Sequence, residues 1–405
     1  MAARRGTGGF VVSRAAASRR FSKGRRNVIR VPDTLKALGD LASYWRGRFD
    51  IPVVAVTGSN GKTTTKEMIA ALLATRYPVL KTEGNFNNLI GLPLTLFRLT
   101  PRHRVAVLEM GMSVPGEIRR LTEIASPGVG VITHIGRAHL KGLKNIRGIA
   151  RAKGELLEGL PQSGIAFLNR DDRFFRFLKK RTRAAVRTFG WKKGADLSVG
   201  RFESLGIRGE RFEVRSGKRR APFSLQILGR GNVSNALAAI GVGDYFKISP
   251  KRMQQALFGL RPTCGRLEPI CLKNWTILND SYNANPDSMT QALDVLQELK
   301  GTRSRGVAIL GEMAELSRLA SRCHQEIGAK AIRRKIDLLI GLGRYAGDFR
   351  RGAIKAGARP GQIVSLRGVR ENFARIPGLL KRGDLILVKG SHAMQMDRLV
   401  KILRN

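Results

Sequence analysis

Short apolar runs separate longer amphipathic stretches along this 405-residue chain. Consecutive apolar positions predict strands that are buried on both faces, as in parallel sheets. Runs of this kind lie at 51–56, 105–108, 336–341 and 384–388. Strands that alternate with predicted helices, such as 146–160, indicate an α/β fold with mainly parallel sheet. From 186 to 228, short alternating segments separated by glycine turns predict an antiparallel extension of that sheet.

Residues 33–41, just before the first run, have the pattern of a capped helix. Asp33 is a favourable N-cap residue, because its carboxylate can accept hydrogen bonds from the first free N–H groups. Leu35, Leu38 and Leu41 follow at helical spacing. We therefore expect a helix that starts after Asp33 and packs through these three leucines.

A glycine-rich turn, Thr57-Gly58-Ser59-Asn60-Gly61-Lys62-Thr63-Thr64, connects the run at 51–56 to a predicted helix. A strand, a glycine turn and a helix that begins with Gly-Lys-Thr form the usual geometry of a phosphate site. Lys62 is then expected to reach the β- and γ-phosphates of ATP, and the Thr63 hydroxyl to bind Mg²⁺. An ordinary turn with a chance Gly-Lys-Thr is the alternative, which the flanking strand and helix disfavour.

The chain is long enough for two or three domains, and its hydrophobic fraction of 42% is that of a globular protein. No apolar run approaches the ~20 residues that span a bilayer, so we expect no membrane span. The three cysteines, Cys264, Cys271 and Cys323, lack paired spacing, which indicates reduced thiols and a cytoplasmic location.

The charge is strongly basic, with 74 Lys and Arg against 30 Asp and Glu and a net charge of +44. Such a surface attracts polyanions. The excess is spread along the chain, without a zinc pattern, a basic zipper or an aromatic-rich basic motif. We therefore expect no specific nucleic-acid partner. The alternative is an inactive, truncated ATP-binding protein whose basic surface binds nucleic acid.

The turn at 57–64 resembles the ATP loop of the Mur ligases, which form amide bonds in peptidoglycan synthesis, and folylpolyglutamate synthetases have a similar loop. At least five motifs follow the Mur ligase order between about residues 31 and 405. Residues 279–286, Asn-Asp-Ser-Tyr-Asn-Ala-Asn-Pro, resemble the branch of the family that adds D-alanyl-D-alanine. A related ligase with another acceptor, such as a folylpolyglutamate-type protein, is the alternative that this stretch argues against.

The resemblance assigns roles to individual residues. It implies four catalytic residues: Lys62, Lys153, His139 and Arg266. It implies contacts to ATP from Gly58, Ser59, Asn60, Gly61, Lys62, Thr63, Thr64, Asn232, Asn235, Arg266 and Asp280. It implies Mg²⁺ ligation by Thr63, Glu109, His139 and Lys153, with Lys153 carbamylated. It implies substrate contacts from Asn85, Asn87, Asn88, Tyr282, Asn283, Asn285, Lys389 and Ser391.

Some of these residues also have ordinary structural explanations. The asparagines at 85–88 fit turn chemistry, Glu109 could be a solvated strand end, and Asn232 could simply cap a helix. The chain also departs from the family pattern at several positions. His134 stands where Asn is usual, and Lys141 where Glu is usual. Gly231 replaces a His, Asn279 an Asp, and His392 an Arg.

The resemblance implies a central ATPase domain of the P-loop type over 32–262 and a Rossmann-like ligase domain over 263–405. Residues 1–31, which contain no acidic residue, are expected to be the end of an N-terminal UDP-sugar-binding domain, with a transit-like segment as the alternative. The expected reaction joins D-alanyl-D-alanine to UDP-N-acetylmuramoyl-tripeptide through an acyl phosphate, with ATP and Mg²⁺, in a monomeric enzyme. Loss of most of the N-terminal domain would weaken binding of the UDP-sugar.

Overall fold

The computed structural model describes residues 9–13, 27–138, 140–302 and 304–404, without the side chain of Lys141. Within these residues the strands form three sheets. The smallest is a parallel pair of β1 (Gly9–Val12) and β2 (Asn27–Arg30). We call residues 34–262, around the largest sheet, the middle unit, and residues 263–404, around the remaining sheet, the C-terminal unit.

The largest sheet has nine strands in the order β11-β10-β9-β8-β7-β6-β3-β5-β4. Its strands are β3 (Val53–Thr57), β4 (Val79–Lys81), β5 (Val105–Glu109), β6 (Val129–Ile132), β7 (Ile165–Asn169), β8 (Ala185–Gly190), β9 (Leu197–Ser204), β10 (Glu210–Ser216) and β11 (Arg219–Leu225). The strands from β4 to β9 pair in parallel, whereas β10 is antiparallel to both β9 and β11. The predicted antiparallel extension is therefore confirmed for β9 to β11, whereas β8, at the start of the predicted range, pairs in parallel with both neighbours.

The C-terminal sheet has the order β12-β13-β17-β14-β15-β16. Its strands are β12 (Glu268–Cys271), β13 (Thr276–Asp280), β14 (Gly306–Leu310), β15 (Leu338–Leu342), β16 (Ile363–Leu366) and β17 (Leu385–Lys389). Only the edge strand β12 is antiparallel to its neighbour. Two mainly parallel sheets covered by helices confirm the predicted α/β fold class.

The helices connect these strands along the described residues. They are α1 (Thr34–Gly47), α2 (Lys62–Ala74), α3 (Gly91–Leu96), α4 (Glu117–Ala125), α5 (Leu140–Leu143), α6 (Ile146–Glu158), α7 (Phe175–Lys179), α8 (Arg230–Tyr245), α9 (Pro250–Gly259), α10 (Pro286–Lys300), α11 (Ala320–Arg333), α12 (Ala346–Lys355) and α13 (Met396–Arg404). Short 3₁₀ helices lie at Gly206–Arg208, Ser317–Leu319, Arg370–Arg375, Pro377–Leu379 and His392–Met394. No helix of the described part is long and apolar enough to cross a membrane.

Strand β3 is buried on both faces, which explains its continuous apolar sequence. Val53 and Ala55 pack in one core with α4 and α6, and Val54 and Val56 pack in the other core with α2 and α8. Layers of helix on both sides leave only the ends of the strand free. The polar residues after Thr57 therefore emerge at the carboxyl edge of the sheet, where ligands bind in this architecture.

Helix α1 corrects one prediction and confirms another. Asp33 caps the helix as expected, accepting hydrogen bonds from the N–H groups of Leu35 and Lys36 at 2.7 and 3.0 Å. The prediction that α1 packs through its leucines was wrong, because Leu35 and Leu41 are exposed whereas Gly39 and Ala42 are buried. A Cβ at position 39 would lie 2.8 Å from Ile124 Cδ1. The close approach of α1 to α4 thus favours the small residues on this helix face.

Candidate active site

A cleft of about 950 Å³ lies between the carboxyl edges of the two larger sheets. Its walls combine the phosphate loop, defined here as residues 57–64, with the ends of β5 and β7, the start of α8, and residues from β13, α10 and β17 of the C-terminal unit. Residues from both units therefore face one cavity, and most of the predicted site residues lie on its walls.

The phosphate loop depends on glycine for its shape. Gly61 has φ +81°, and a Cβ there would overlap Asn235 Oδ1. Lys62 folds back over the loop and donates from Nζ to the Gly58 carbonyl at 3.0 Å. Burial lowers the pKa of Lys62, with Arg266 acting in the same direction and the charge of Glu109 opposing both. The lysine is thus held at the loop, close to where phosphate oxygens would lie.

Ser59 and Asn60 use their side chains to fix the loop against its neighbours. Ser59 Oγ donates to the Gly136 carbonyl at 3.0 Å and accepts from the Gly136 N–H at 2.9 Å. Asn60 and Asn285 form a reciprocal amide pair, with bonds of 2.7 and 3.3 Å, between the two units. The predicted contacts of Ser59 and Asn60 with ATP stay predictions, and both residues have a clear structural role.

Glu109 and Lys153 have polar atoms with no hydrogen-bond partner in the described part of the chain. Glu109 Oε1 accepts from Asn87 Nδ2 at 2.7 Å, but Oε2 is unpaired. Lys153 lies on α6 with 0% exposure, and its Nζ is also unpaired. Burial moves the pKa of Lys153 well below its ordinary value, and the charge of Lys62 adds to that shift. Unpaired buried polar atoms are rare in proteins, so both point to a ligand or a modification.

The other residues predicted to bind the metal give a less complete picture. Thr63 Oγ1 accepts a hydrogen bond from Arg266 Nη2 at 3.0 Å, which brings an arginine of the C-terminal unit to the hydroxyl. His139 lies outside the described residues. No group of three or more His, Cys, Asp or Glu residues suited to a metal is found in the described part. The available donors are hard oxygens from Thr63 and Glu109, the type that Mg²⁺ prefers.

Asn232 and Asn235 form a pair at the start of α8. Asn235 Nδ2 donates to Asn232 Oδ1 at 3.0 Å, and Asn232 Nδ2 donates to the Leu228 carbonyl at 2.7 Å. The N-cap of α8 is Gly229, so Asn232 is not the cap. Asn235 Oδ1 faces Gly61, so this pair lies directly against the phosphate loop.

On the C-terminal side, Asp280 and Lys389 form a buried ion pair with an Oδ2–Nζ distance of 2.6 Å. Lys389 Nζ also donates to the Asn283 carbonyl at 2.8 Å. Burial raises the pKa of Asp280, although the charge of Lys389 opposes this shift. The Arg266 guanidinium lies 4.3 Å from the centre of the Tyr282 ring. These contacts hold Arg266 and Asp280 at the mouth of the phosphate loop.

The predicted substrate residues are not all alike. Asn85, Asn87, Tyr282 and Asn283 line the cleft. Asn88 also lines it, but its Oδ1 accepts from the N–H groups of Ile90 and Gly91 at 3.1 and 2.8 Å and so stabilises the start of α3. Ser391 is buried, and it is the one predicted substrate residue of the described part outside the cleft wall.

Sequence reasoning missed a cluster of charged residues on the loop after β6. His134 Nδ1 lies 3.0 Å from Asp172 Oδ2, and this carboxylate also accepts from the Ile135 N–H at 2.6 Å. Burial alone would lower the pKa of His134, but the hydrogen bond and charge of Asp172, with Asp287 beyond, raise it. Arg137 on the same loop contacts Asp287. The unusual His134 was the only sequence signal, because its partners are distant in the chain.

The sequence matches the Mur ligase middle domain over residues 56–243 and the Mur ligase glutamate ligase domain over residues 265–392. The UDP-N-acetylmuramoyl-tripeptide–D-alanyl-D-alanine ligase of Bacillus subtilis is 38% identical over 377 residues, which cover 93% of this chain and 81% of the relative. The ligase of the same name from Escherichia coli is 35% identical over 388 residues, with coverage of 92% and 81%.

Solved structures give the same result. A crystal structure of MurF from Acinetobacter baumannii superposes with a TM-score of 0.86 at 29% identity, covering 93% of this chain and 82% of that one. MurF ligase from Thermotoga maritima in complex with ADP has a TM-score of 0.84 at 25% identity, with coverage of 99% and 89%. A folylpolyglutamate synthase from Mycobacterium tuberculosis has a TM-score of 0.70 at 18% identity, with coverage of 92% and 94%, which is a likeness of fold alone.

Proposed function

This chain belongs to the Mur ligase family, and we propose that it is the ATP-dependent member that joins D-alanyl-D-alanine to UDP-N-acetylmuramoyl-tripeptide in peptidoglycan synthesis. The relatives at 35% and 38% identity carry the name of this activity over more than nine-tenths of the chain. The observation that carries the proposal is that residues 279–286, whose sequence resembles this branch, face the phosphate loop across one cleft and bond to it through Asn60 and Asn285.

The proposed reaction has two steps in this cleft. The tripeptide carboxylate attacks the γ-phosphorus of ATP, which forms an acyl phosphate and releases ADP. The amine of the dipeptide then attacks the acyl carbon, and inorganic phosphate leaves as the C–N bond forms and the amine loses a proton. Phosphoryl transfer of this kind relies mainly on positioned positive charge. Lys62 and Arg266, which meet at the loop from the two units, supply that charge.

Mg²⁺, when bound, neutralises phosphate charge and polarises the transferred group. Thr63 Oγ1 and the unpaired Oε2 of Glu109 are the side-chain oxygens that would hold it, and the predicted ligation by His139 stays a prediction. The contact of Arg266 with Thr63 supports the proposal that this arginine lies beside the metal and the phosphates. The protein contributes orientation here, because Thr63 is fixed in the first turn of α2 and Glu109 at the end of the buried strand β5.

Carbamylation of Lys153 is part of the proposal. Carbon dioxide adds only to a neutral amine, and burial beside Lys62 favours that neutral form. A new N–C bond forms, a proton leaves the nitrogen, and the product is an anion on a long side chain. This anion would place an oxygen ligand where the unpaired Nζ now lies. The support is the combination of complete burial, an unpaired nitrogen and a lowered pKa in one residue.

The test is a ligation assay with purified protein, ATP, Mg²⁺, UDP-N-acetylmuramoyl-tripeptide and D-alanyl-D-alanine. We expect ADP release that requires both other substrates, and a product mass equal to tripeptide plus dipeptide minus water. L-glutamate and folate substrates are tested in parallel. Turnover with those substrates alone would favour the folylpolyglutamate-type alternative, and salt-sensitive DNA binding without ATP turnover would favour the inactive ATP-binding protein. The monomeric state and the cytoplasmic location stay predictions.

A further inference from the structure

The loop after β6 makes a further connection between the two units, separate from the Asn60–Asn285 pair and from the bond of Arg266 to Thr63. The Arg137 N–H donates to Asp287 Oδ2 at 2.7 Å, and its guanidinium donates from Nη1 to Glu326 Oε2 at 2.8 Å. Arg137 Nε also lies 3.9 Å from Asp287 Oδ1. Asp287 is in the first turn of α10 and Glu326 is on α11. One arginine of the middle unit thus bonds to two helices of the C-terminal unit.

The same loop is bonded to the phosphate loop. Gly136, next to Arg137, exchanges two hydrogen bonds with the Ser59 hydroxyl. Thr133 Oγ1 donates to the Asn60 carbonyl at 2.5 Å. A displacement of the C-terminal unit at Arg137 would therefore reach the phosphate loop through short, buried or half-buried contacts.

These contacts differ from ordinary surface ion pairs. The side chains of Arg137, Asp287 and Glu326 are each only about one-third exposed, at 30%, 28% and 33%. Burial would lower the pKa of Arg137, but Glu326 and Asp287 raise it above its ordinary value. Only 30 of the 405 residues are acidic, so the meeting of two carboxylates on one interface arginine is not expected from composition. An arginine with two or more partners at a half-buried site contributes more stability than a single exposed ion pair.

We propose that Arg137, with Asp287 and Glu326, is a positioning residue that holds the C-terminal unit against the middle unit. We call this arrangement of the two units closed, and an arrangement in which these contacts are broken is called open. In the closed arrangement Arg266 reaches Thr63 and Asn285 reaches Asn60. Among the described residues, Arg137 has no hydrogen bond or ion pair with Lys62, Lys153 or Arg266, so its effect on the reaction is through the orientation of the two units. The kinetic part of this inference rests on the proposed function, whereas the closure itself does not.

The experiment compares the wild-type protein with Arg137→Ala, Glu326→Gln, the double variant, and the conservative Arg137→Lys. Arg322→Ala is the matched control, because Arg322 Nε bonds to the other oxygen of Glu326 at 3.2 Å within α11 and does not cross the interface. Small-angle X-ray scattering with ADP and Mg²⁺ measures closure, and steady-state ligation measures kcat and KM.

We expect Arg137→Ala to lower the closed-to-open ratio about tenfold, on the scale of one or two charged hydrogen bonds. kcat should fall by a similar factor, with KM for ATP changed less than about threefold, since most of the predicted contacts to ATP come from the middle unit. In the Arg137→Ala background, Glu326→Gln should cause little further loss of closure or of kcat. Arg137→Lys should recover part of the closure, and Arg322→Ala should match wild type.

Unchanged scattering and kcat in Arg137→Ala would overturn the proposal, as would an equal effect of Arg322→Ala. Additive losses in the double variant would also contradict it, because the two residues would then act independently. If the wild-type protein shows no ligation with the tripeptide, the proposed function fails, and the scattering comparison alone still decides whether Arg137 controls closure.

Discussion

Replacing Glu210 by glutamine should make the stability of the middle unit much less sensitive to pH. Glu210 begins β10, is 2% exposed, and accepts a hydrogen bond from the Gly229 N–H at 2.6 Å through Oε1. Its Oε2 is buried without a partner in the described part. Burial, with the negative charge of Glu298, raises the pKa of Glu210 from 4.5 to about 7, against the opposing effects of Gly229, Ser204 and Arg230.

The sign and size of the effect follow from linkage. A carboxyl group whose pKa is higher in the folded state binds more protons when folded, so stability falls as pH rises between the two pKa values. A rise from 4.5 to about 7 corresponds to roughly 3 kcal/mol of unfolding free energy. About 2.5 kcal/mol of this develops between pH 5 and pH 8. Glutamine keeps an acceptor for Gly229 but does not titrate.

The assay is thermal unfolding of wild type and Glu210→Gln by scanning calorimetry at several values between pH 5 and pH 8. The measured quantity is the change with pH in the stability difference between variant and wild type. Any cost of burying the amide that does not depend on pH cancels from this change. It should favour the variant by about 2–3 kcal/mol at the alkaline end, which is a relative gain of roughly 5–10 °C in Tm for a domain of this size. Glu203→Gln, at an exposed carboxyl on the neighbouring β9, is the control and should change by less than about 0.5 kcal/mol.

A difference that stays constant from pH 5 to pH 8 would refute the reasoning. Glu210 would then have to be ionised in the folded protein at all these values, which requires that the effects of Gly229, Ser204 and Arg230 outweigh those of burial and of Glu298. A difference of the opposite sign, with wild type gaining stability relative to the variant as pH rises, would mean that Glu210 stabilises the fold as a carboxylate through its bond from Gly229.

Three further predictions concern the site. Lys62→Ala should lower kcat by several orders of magnitude because it removes charge that stabilises the transition state, and a change in KM for ATP alone would contradict that role. Lys153→Ala should abolish ligation, with partial rescue by short carboxylic acids in the assay buffer; full activity without them would remove Lys153 from the mechanism. His134→Asn should lower Tm at about pH 5.5 and have less effect at about pH 8.5. The pKa of His134 is raised in the fold by Asp172 and Asp287, against the effect of burial, so the stabilising charge is present below its unfolded pKa and is lost as pH rises through the folded value. Equal losses of Tm at both values would contradict this assignment.

The sequence alone determined those features that depend on neighbours along the chain. The phosphate loop followed from a buried strand, two glycines and a helix start, all within about a dozen residues. The start of α10 likewise followed from Pro286, and Asn285 is its cap, with a reciprocal bond pattern to Ser288. Such signals are readable because turn geometry and helix capping are decided by φ preferences and by side chains three or four residues away.

Hydrophobic periodicity predicted the buried helix face less well than capping residues predicted the helix starts. It correctly indicated which runs are covered on both faces, but it assigned the wrong face to α1, because leucines at helical spacing are only one way to bury a helix. Close approach of α4 at Gly39 made the small residues the packed ones. The hydrophobic pattern indicates that a helix face can be buried. The helix or strand that packs against it decides whether it is.

Only the tertiary structure decided which polar residues act together. Asn60 and Asn285 are 225 positions apart, Thr63 and Arg266 are 203 apart, and the Arg137–Glu326 contact spans 189. Nothing in local propensity links such pairs, because their distance is set by strand order and by the docking of one unit on the other. The same holds for Lys153. Its sequence would suit an exposed helix, but packing leaves it wholly buried, with a nitrogen that has no hydrogen-bond partner among the described residues. The lowered pKa of Lys153 follows from the cost of burying a charged amine, and the packing around α6 imposes that burial.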